Sequence, residues 1–299
     1  MKKIRVVING FGRIGRIATR AILKKTNIEI VAVNDLADAI TLAHLFKYDS
    51  VQGKFAGTVS VDEKNIIING NPIKIFATKN PGNLPWNDLN VDVVVESTGL
   101  FLREEDAGKH IIAGAKKVII SAPPKGKGIK SVVIGVNENT LDGTEKIISN
   151  ASCTTNCAAP MVKILDEIWG IEEGCLSTIH AYTSDQRLHD SPHRDLRRAR
   201  SAAVSIVPTS TGAAKAITKI FPHLAGKLDG MAFRVPVPSG SLTDLTCTLK
   251  KSTSKDEINA AFKKYAESSF KNILEYSDEP LVSIDIVGNP NSCIFDSQL

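Results

Sequence analysis

The chain has 299 residues, 42% hydrophobic and 23% charged, with a formal net charge of +5. That length allows two domains with well-formed cores, and the composition is globular rather than disordered or fibrous. The charge is too mild to imply nucleic acid but suits anionic small substrates, and no apolar run reaches membrane-spanning length.

Met1-Lys2-Lys3 leads directly into a strand, so no signal peptide is expected. Ile4 to Asn9 is apolar and β-rich, and Gly10-Phe11-Gly12-Arg13-Ile14-Gly15 follows at once. A helical pattern comes next, with Ile14, Ile17, Ala18, Ala21 and Ile22 on one face, then a strand from Ile28 to Val33 closed by Asn34-Asp35. Strand, Gly-x-Gly-x-x-Gly, helix, strand, acid is a dinucleotide-binding order. Gly10 allows the tight turn, Gly12 lets a pyrophosphate approach the backbone, and Gly15 permits close helix–strand packing. The helix start faces the phosphates. Asp35 can accept from ribose hydroxyls, and its charge repels a 2′-phosphate, so NAD is expected over NADP. Short apolar runs at Val91 to Glu96, Lys117 to Ser121 and Val132 to Val136 read as strands covered on both faces. The turns Ser97-Thr98-Gly99 and Ser121-Ala122-Pro123 lie at strand ends, where a doubly wound sheet binds ligands.

Lys146 to Ser149 reads as the end of a strand, and Thr155 through Ile168 as a helix with Ala158, Met161, Val162, Leu165 and Ile168 inward. Cys153 sits at the junction, where free N–H groups and the helix dipole stabilise a thiolate and can hold an oxyanion. It is the candidate nucleophile. Cys157, Cys175, Cys247 and Cys293 read as small buried hydrophobes. Five cysteines show no paired spacing, and no zinc pattern is completed. No metal is expected, and a reducing, cytoplasmic setting is the simplest reading. Beyond Cys153 the expected strands are longer and alternating: Cys175 to Tyr182, Met231 to Val237, Leu242 to Leu249 and Leu281 to Val287. They point to a mixed or antiparallel sheet with helices on one face. A helix is expected from Lys255 to Phe270, with a capping box at Ser254 and Glu257. His180 is the natural general base for a nearby thiolate. Thr183, Thr211-Gly212 and Arg234 are polar groups near element ends that can bind phosphate. Arg194 to Arg200 carries four arginines and reads as a solvated or subunit-contacting loop.

Five segments resemble phosphorylating glyceraldehyde-3-phosphate dehydrogenases: Asn9-Gly10-Phe11-Gly12-Arg13-Ile14-Gly15-Arg16, Ala151-Ser152-Cys153-Thr154-Thr155-Asn156, Thr178-Ile179-His180-Ala181-Tyr182-Thr183, Pro208-Thr209-Ser210-Thr211-Gly212-Ala213-Ala214-Lys215 and Phe233-Arg234-Val235-Pro236-Val237-Pro238. They come in the family's order and cover essentially the whole chain. The resemblance implies an α/β chain: a doubly wound Rossmann-type parallel sheet over residues 1–151, then an α+β catalytic domain with a mixed sheet over residues 152–299. It implies Cys153 as nucleophile and His180 as base. Thr183 and Arg234 are implied for the substrate's own phosphate, and Ser152, Thr211 and Gly212 for inorganic phosphate, with Thr154 beside them. For NAD it implies Asn9, Gly10, Phe11, Gly12, Arg13, Ile14, Gly15, Asp35, Thr98, Gly99 and Ser121, with Lys79 where the family usually has arginine. Glyceraldehyde 3-phosphate, inorganic phosphate and a homotetramer are the implied partners. The family continues past Leu299 with further strands, an asparagine that orients the nicotinamide carboxamide, and a helix. Two other readings stand beside this one: erythrose-4-phosphate dehydrogenase, whose thioester is hydrolysed, and a catalytically impaired NAD-binding protein.

Overall fold

The structure, a computed structural model, describes residues 2–299. The described residues form two compact units: 2–132 with Asn139–Ala151, and Val133–Glu138 with Ser152–Leu299.

The first unit opens with β1 (Ile4–Asn9), α1 (Arg13–Ile22), β2 (Ile28–Asn34) and α2 (Ala39–Lys47). A small hairpin, β3 (Tyr48–Asp49) and β4 (Gly53–Lys54), precedes β5 (Val59–Val61), β6 (Asn65–Ile68) and β7 (Asn71–Phe76). Then come β8 (Val93–Glu96), α3 (Glu104–Ile112), β9 (Lys117–Ile120), β10 (Lys130–Ser131) and β11 (Ile147–Ser149). One sheet runs β10-β11-β9-β8-β1-β2-β7-β6-β5. Pairing is parallel from β10 to β7 and antiparallel through β6 and β5. Successive residues of β1 enter opposite cores: Val6 and Ile8 join Phe11, Phe46 and Ile66, while Val7 joins Trp86, Val94 and Val118. Burial on both faces explains the unbroken apolar runs.

The face of α1 against the sheet differs from the expected one. Gly15 and Thr19 are its buried residues, whereas Ile14 is 55% exposed and Ala21 is also exposed. Close approach is the reason. A Cβ on Gly15 would lie 2.2 Å from Gly10 O and 2.8 Å from Ile8 Cγ2, so only glycine lets α1 sit this near β1. Gly10 has φ +89°, and a side chain there would meet Thr98 N at 2.7 Å. Val132 to Val136 is a turn, not a strand: Val133 N–H donates to Asn137 Oδ1, Val136 N–H returns to Val133 O, and Gly135 takes φ +82°. A side-chain acceptor captures the backbone that a ladder would use.

The second unit begins with α4 (Cys153–Ile168), which buries Ala158, Met161, Val162 and Leu165 as expected, together with Ala159, Pro160 and Ile164, while Ile168 is only half-buried near the C-cap, Trp169. It continues with β12 (Ile171–Ala181), β13 (Val207–Ser210), α5 (Ala213–Ile220), β14 (Leu228–Val235), β15 (Leu242–Leu249), α6 (Lys255–Glu267), β16 (Leu274–Ser277) and β17 (Cys293–Asp296). The order β13-β14-β12-β15 makes a mixed sheet, with β12 parallel to β14 and antiparallel to β15. The capping box at Ser254 and Glu257 starts α6, which stops at Glu267, short of Phe270. Leu281 to Val287 is a turn rather than a strand. Asp285 Oδ2 accepts from Val282 N–H, Val287 N–H donates to Ile284 O, and Val282 and Ile284 stay exposed.

Gly15→Ala forces α1 off β1. Overpacking costs about 1–3 kcal/mol, so a lowered unfolding midpoint in a thermal melt is expected.

Candidate active site

In the first unit the turn from β1 to α1 forms a cradle. The N-cap of α1, Gly12, has no side-chain cap among the described residues, and a Cβ there would meet nothing within 4 Å. The free N–H groups and the positive helix end suit a phosphate. Asp35, past the end of β2, accepts the Phe11 N–H at 2.7 Å and the Ala37 N–H at 3.1 Å. Its carboxylate therefore ties the glycine turn to β2 while keeping lone pairs for ribose hydroxyls. Leu36 beside it is exposed and offers no donor to a 2′-phosphate. Gly99, at φ +74°, and Lys79 are exposed, Ser121 is half-buried, and Arg13 is engaged with Asp49 at 2.9 Å. These residues fit a dinucleotide carrying free ribose hydroxyls.

Asn9 lies beneath the cradle, fully buried. The sequence reading missed its partner, Glu96. One Glu96 oxygen accepts from Asn9 Nδ2 and faces His110 Nε2 at 3.2 Å; the other accepts the Thr98 N–H and hydroxyl. Trp86 Nε1 donates to His110 Nδ1 at 3.0 Å, which places the imidazole proton on Nε2, toward Glu96. Asn34 Nδ2 donates to Asn9 Oδ1 and to Thr78 O. A buried carboxylate is costly unless its oxygens are satisfied, and here four donors meet it. The one local signal was an acid closing the apolar run Val93-Val94-Val95.

In the second unit, Ala151 takes φ +55°, a left-handed turn into α4. Ser152 caps the helix by accepting the Thr155 N–H at 3.1 Å, and Cys153 is the first helical residue. Its Sγ lies 3.3 Å from His180 Nε2. Cys153 is exposed, yet the protein mass around it removes water and pushes the thiol up. His180, by hydrogen bond and charge, and the Thr154 N–H and hydroxyl outweigh this, leaving the thiol at about 7 rather than 9.0. A substantial thiolate fraction at neutral pH follows. Of the other cysteines, Cys293 is buried and Cys157 and Cys247 are half-buried, but Cys175 is exposed, contrary to expectation, because it lies on the uncovered part of β12.

His180 and Arg234 are direct partners in the parallel register of β12 and β14. His180 Nδ1 lies 2.6 Å from Ala181 O and 2.8 Å from Arg234 Nη1, which itself donates to the same carbonyl at 3.0 Å. Ala181 O calls for a proton on Nδ1, whereas the Arg234 guanidinium can only donate to a bare Nδ1; a ring that donates to Ala181 leaves the Nε2 lone pair facing Cys153, the base-competent tautomer. Arg234 Nε is buried and has no hydrogen-bond partner among the described residues, a donor fit for an anion. Thr183 is exposed on the loop after β12, and Gln186 folds back to accept its N–H at 3.3 Å. Thr211 Oγ1 accepts the Ala213 N–H at 3.1 Å, and Gly212 starts α5 without a side-chain cap among the described residues. Among those residues no cluster of His, Cys, Asp and Glu fit for a metal occurs, and no helix is long and apolar enough to cross a membrane.

A thiol titrating near 7 predicts that alkylation of Cys153 by iodoacetamide accelerates as pH rises through 7 and levels off above it. In His180→Asn the midpoint should move up toward the ordinary thiol value. Inactivation rates measured across pH check both.

The family description "Glyceraldehyde 3-phosphate dehydrogenase, NAD binding domain" matches residues 4–104, and that of the same enzyme's C-terminal domain matches residues 152–299. A glyceraldehyde-3-phosphate dehydrogenase of Streptomyces avermitilis is 55% identical over 298 residues, 99% of this chain and 89% of the relative. That of Clostridium acetobutylicum is 56% identical over 297 residues, covering 99% and 87%. That of Geobacillus stearothermophilus is 55% identical over 295 residues, covering 98% and 88%. With the cysteine–histidine pair and the dinucleotide cradle in place, the chain belongs to the glyceraldehyde-3-phosphate dehydrogenase family.

Proposed function

We propose that this chain oxidises glyceraldehyde 3-phosphate with NAD and inorganic phosphate to 1,3-bisphosphoglycerate. The observation that carries the reading is Cys153 Sγ at 3.3 Å from His180 Nε2 at the start of α4. The Cys153 thiolate attacks the aldehyde carbon, and the free N–H groups of the helix start stabilise the oxyanion. His180 Nε2 takes the proton of the hemithioacetal hydroxyl. Bound NAD supplies the hydride acceptor. Cys153 then holds an acyl thioester, whose carbonyl stays electrophilic enough for phosphate. Phosphate attacks, the Cys153 thiolate leaves, and the acyl phosphate is released.

Gly10, Phe11, Gly12, Arg13, Ile14 and Gly15 form the pyrophosphate turn in this reading, and Asp35 takes the adenosine ribose. Asn9, Thr98, Gly99, Ser121 and Lys79 complete the cofactor set, Asn9 from beneath. Thr183 and Arg234 hold the substrate phosphate; Ser152, Thr154, Thr211 and Gly212 serve the attacking phosphate. The domains follow as residues 1–151 for NAD and 152–299 for catalysis. Erythrose-4-phosphate is not favoured as substrate, since the relatives carry the glyceraldehyde-3-phosphate dehydrogenase name. We also propose a homotetramer. The arginine-rich loop and the segments flanking it expose Leu188, Leu196, Val204 and Ile206, each 68–82% accessible, and such residues fit self-association. Five free thiols suit a cytoplasmic setting.

An assay with glyceraldehyde 3-phosphate and NAD tests the reaction. NADH formation should depend on inorganic phosphate, and Cys153→Ser should retain NAD binding while losing nearly all oxidation. Phosphate-independent turnover would favour thioester hydrolysis instead.

Removing the substrate-phosphate contact forfeits a charge-assisted hydrogen bond, about 1.5–3 kcal/mol. Arg234→Ala should therefore lose at least about tenfold more kcat/KM with glyceraldehyde 3-phosphate than with unphosphorylated glyceraldehyde. Thr211→Ala should instead raise the KM for inorganic phosphate. Steady-state kinetics with each substrate varied separates the two effects.

Asp35→Asn keeps an acceptor for the Phe11 N–H and removes the charge that repels a 2′-phosphate. The ratio of kcat/KM for NAD over NADP should fall in this variant, with the fold unchanged by circular dichroism.

A further inference from the structure

Three cysteines step from the surface into the core of the second unit. Cys153 is exposed, Cys157 is half-buried, and Cys293 is 2% exposed. Cys153 and Cys157 are four residues apart on α4, so their side chains share one helix face. Cys293 opens β17, which packs against α4, and its Sγ lies 3.9 Å from Cys157 Sγ. The dehydrogenase reaction uses only the first of these sulfurs.

We propose that Cys157 and Cys293 form the end-state disulfide of a relay that takes oxidation off Cys153 and stores it in the core. A hydroperoxide supplies the oxidising equivalents. The Cys153 thiolate attacks its terminal oxygen, the O–O bond breaks, and Cys153 becomes a sulfenic acid as an alkoxide, or hydroxide, departs and takes a proton from water to become the alcohol, or water. Cys157 attacks Cys153 Sγ, the S–O bond breaks, and hydroxide leaves to become water with the thiol proton. Cys293 then attacks Cys157 Sγ, the Cys153–Cys157 bond breaks, and Cys153 leaves as thiolate while the Cys293 proton passes to water. In sum, the thiols of Cys157 and Cys293 become one disulfide, and the hydroperoxide becomes an alcohol and water.

The final exchange has a physical direction. Thiol–disulfide exchange expels the sulfur that better bears negative charge. Cys153, held at about 7 by His180 and Thr154, is that sulfur. Cys293 is a reluctant nucleophile at rest, because its hydrogen bond with Cys157, its burial and the charge of a Cys157 thiolate all push its thiol up. Once Cys157 is bonded to Cys153, that hydrogen bond and that charge are both gone, and Cys293 ionises more readily for the attack. The Cys157 thiol is lowered by its hydrogen bond with Cys293 and then by the Thr243 hydroxyl, though burial and the Cys153 charge oppose this. For the final bond, Cys157 and Cys293 must close from 3.9 Å to bonding distance, about 2 Å.

The relay rests on Cys153 being the reactive thiolate, not on the dehydrogenase reaction. The test treats the whole protein with stoichiometric hydrogen peroxide, alkylates it under denaturing conditions, and maps peptides by mass without reductant. The expected map contains a Cys157–Cys293 disulfide, with Cys153, Cys175 and Cys247 alkylated and turnover retained. Cys293→Ser should match the parent before oxidation. After peroxide it should carry a Cys153–Cys157 disulfide and lose turnover until dithiothreitol restores it. A parent map with Cys293 alkylated, and Cys153 either bonded to Cys157 or present as sulfinic acid, would overturn the proposal. The parent map decides even if the variant does not fold. It is read by mass alone, so absence of turnover on glyceraldehyde 3-phosphate would count against the dehydrogenase reading and leave the map intact.

Discussion

The first turn of a helix leaves backbone N–H groups without carbonyl partners, and three such starts organise this chain. At α1 the N-cap is Gly12, and no side chain among the described residues takes the donors, so they remain for a phosphate. At α4 Ser152 caps only the Thr155 N–H, and the turn that follows presents Cys153 with the Thr154 N–H beside it. At α5 Gly212 again leaves the start open. In the proposed function the three starts serve three different charges: a pyrophosphate, a thiolate with its oxyanion, and an inorganic phosphate. Much of the remaining fold serves to aim them. Gly15 brings α1 against β1, Ala151 turns the chain into α4, and β13 delivers the segment that ends at Gly212.

The mixed sheet contributes a separate constraint. His180 and Arg234 lie far apart in sequence, yet the parallel register of β12 and β14 makes them neighbours across the ladder. A register slip by one residue would turn one of the pair to the opposite face. The sheet therefore sets both the distance of the imidazole from Cys153 and the guanidinium that stands at its far nitrogen.

The cradle and the position of Cys153 at a helix start were legible because their signals are local. Glycines, a helix start and a following acid sit within one βαβ stretch, and Cys153 sits between a strand and a helix. Periodicity failed where side chains captured the backbone: Asn137 folds Val132 to Val136 into a turn, and Asp285 does the same for Leu281 to Val287. It failed on α1 for another reason, since Gly15 and Thr19 pack on β1 through closeness rather than apolar bulk. Glu96 was illegible because its partners come from elsewhere in the chain. Asn9 is 87 residues away, His110 is 14 away, and no local pattern brings them together.

The two tryptophans fall one to each unit, and this gives the molecule a built-in optical division. Trp86 is fully buried and donates its indole N–H into the imidazole that stands on Glu96, so its emission reports the polar foundation under the glycine turn. Trp169 caps the end of the helix that begins with Cys153, and its emission reports the anchoring of that helix. Replacing either indole with phenylalanine leaves a single indole to excite beyond the tyrosine absorption, and with it a separate unfolding trace for the cofactor half and for the thiol-bearing half.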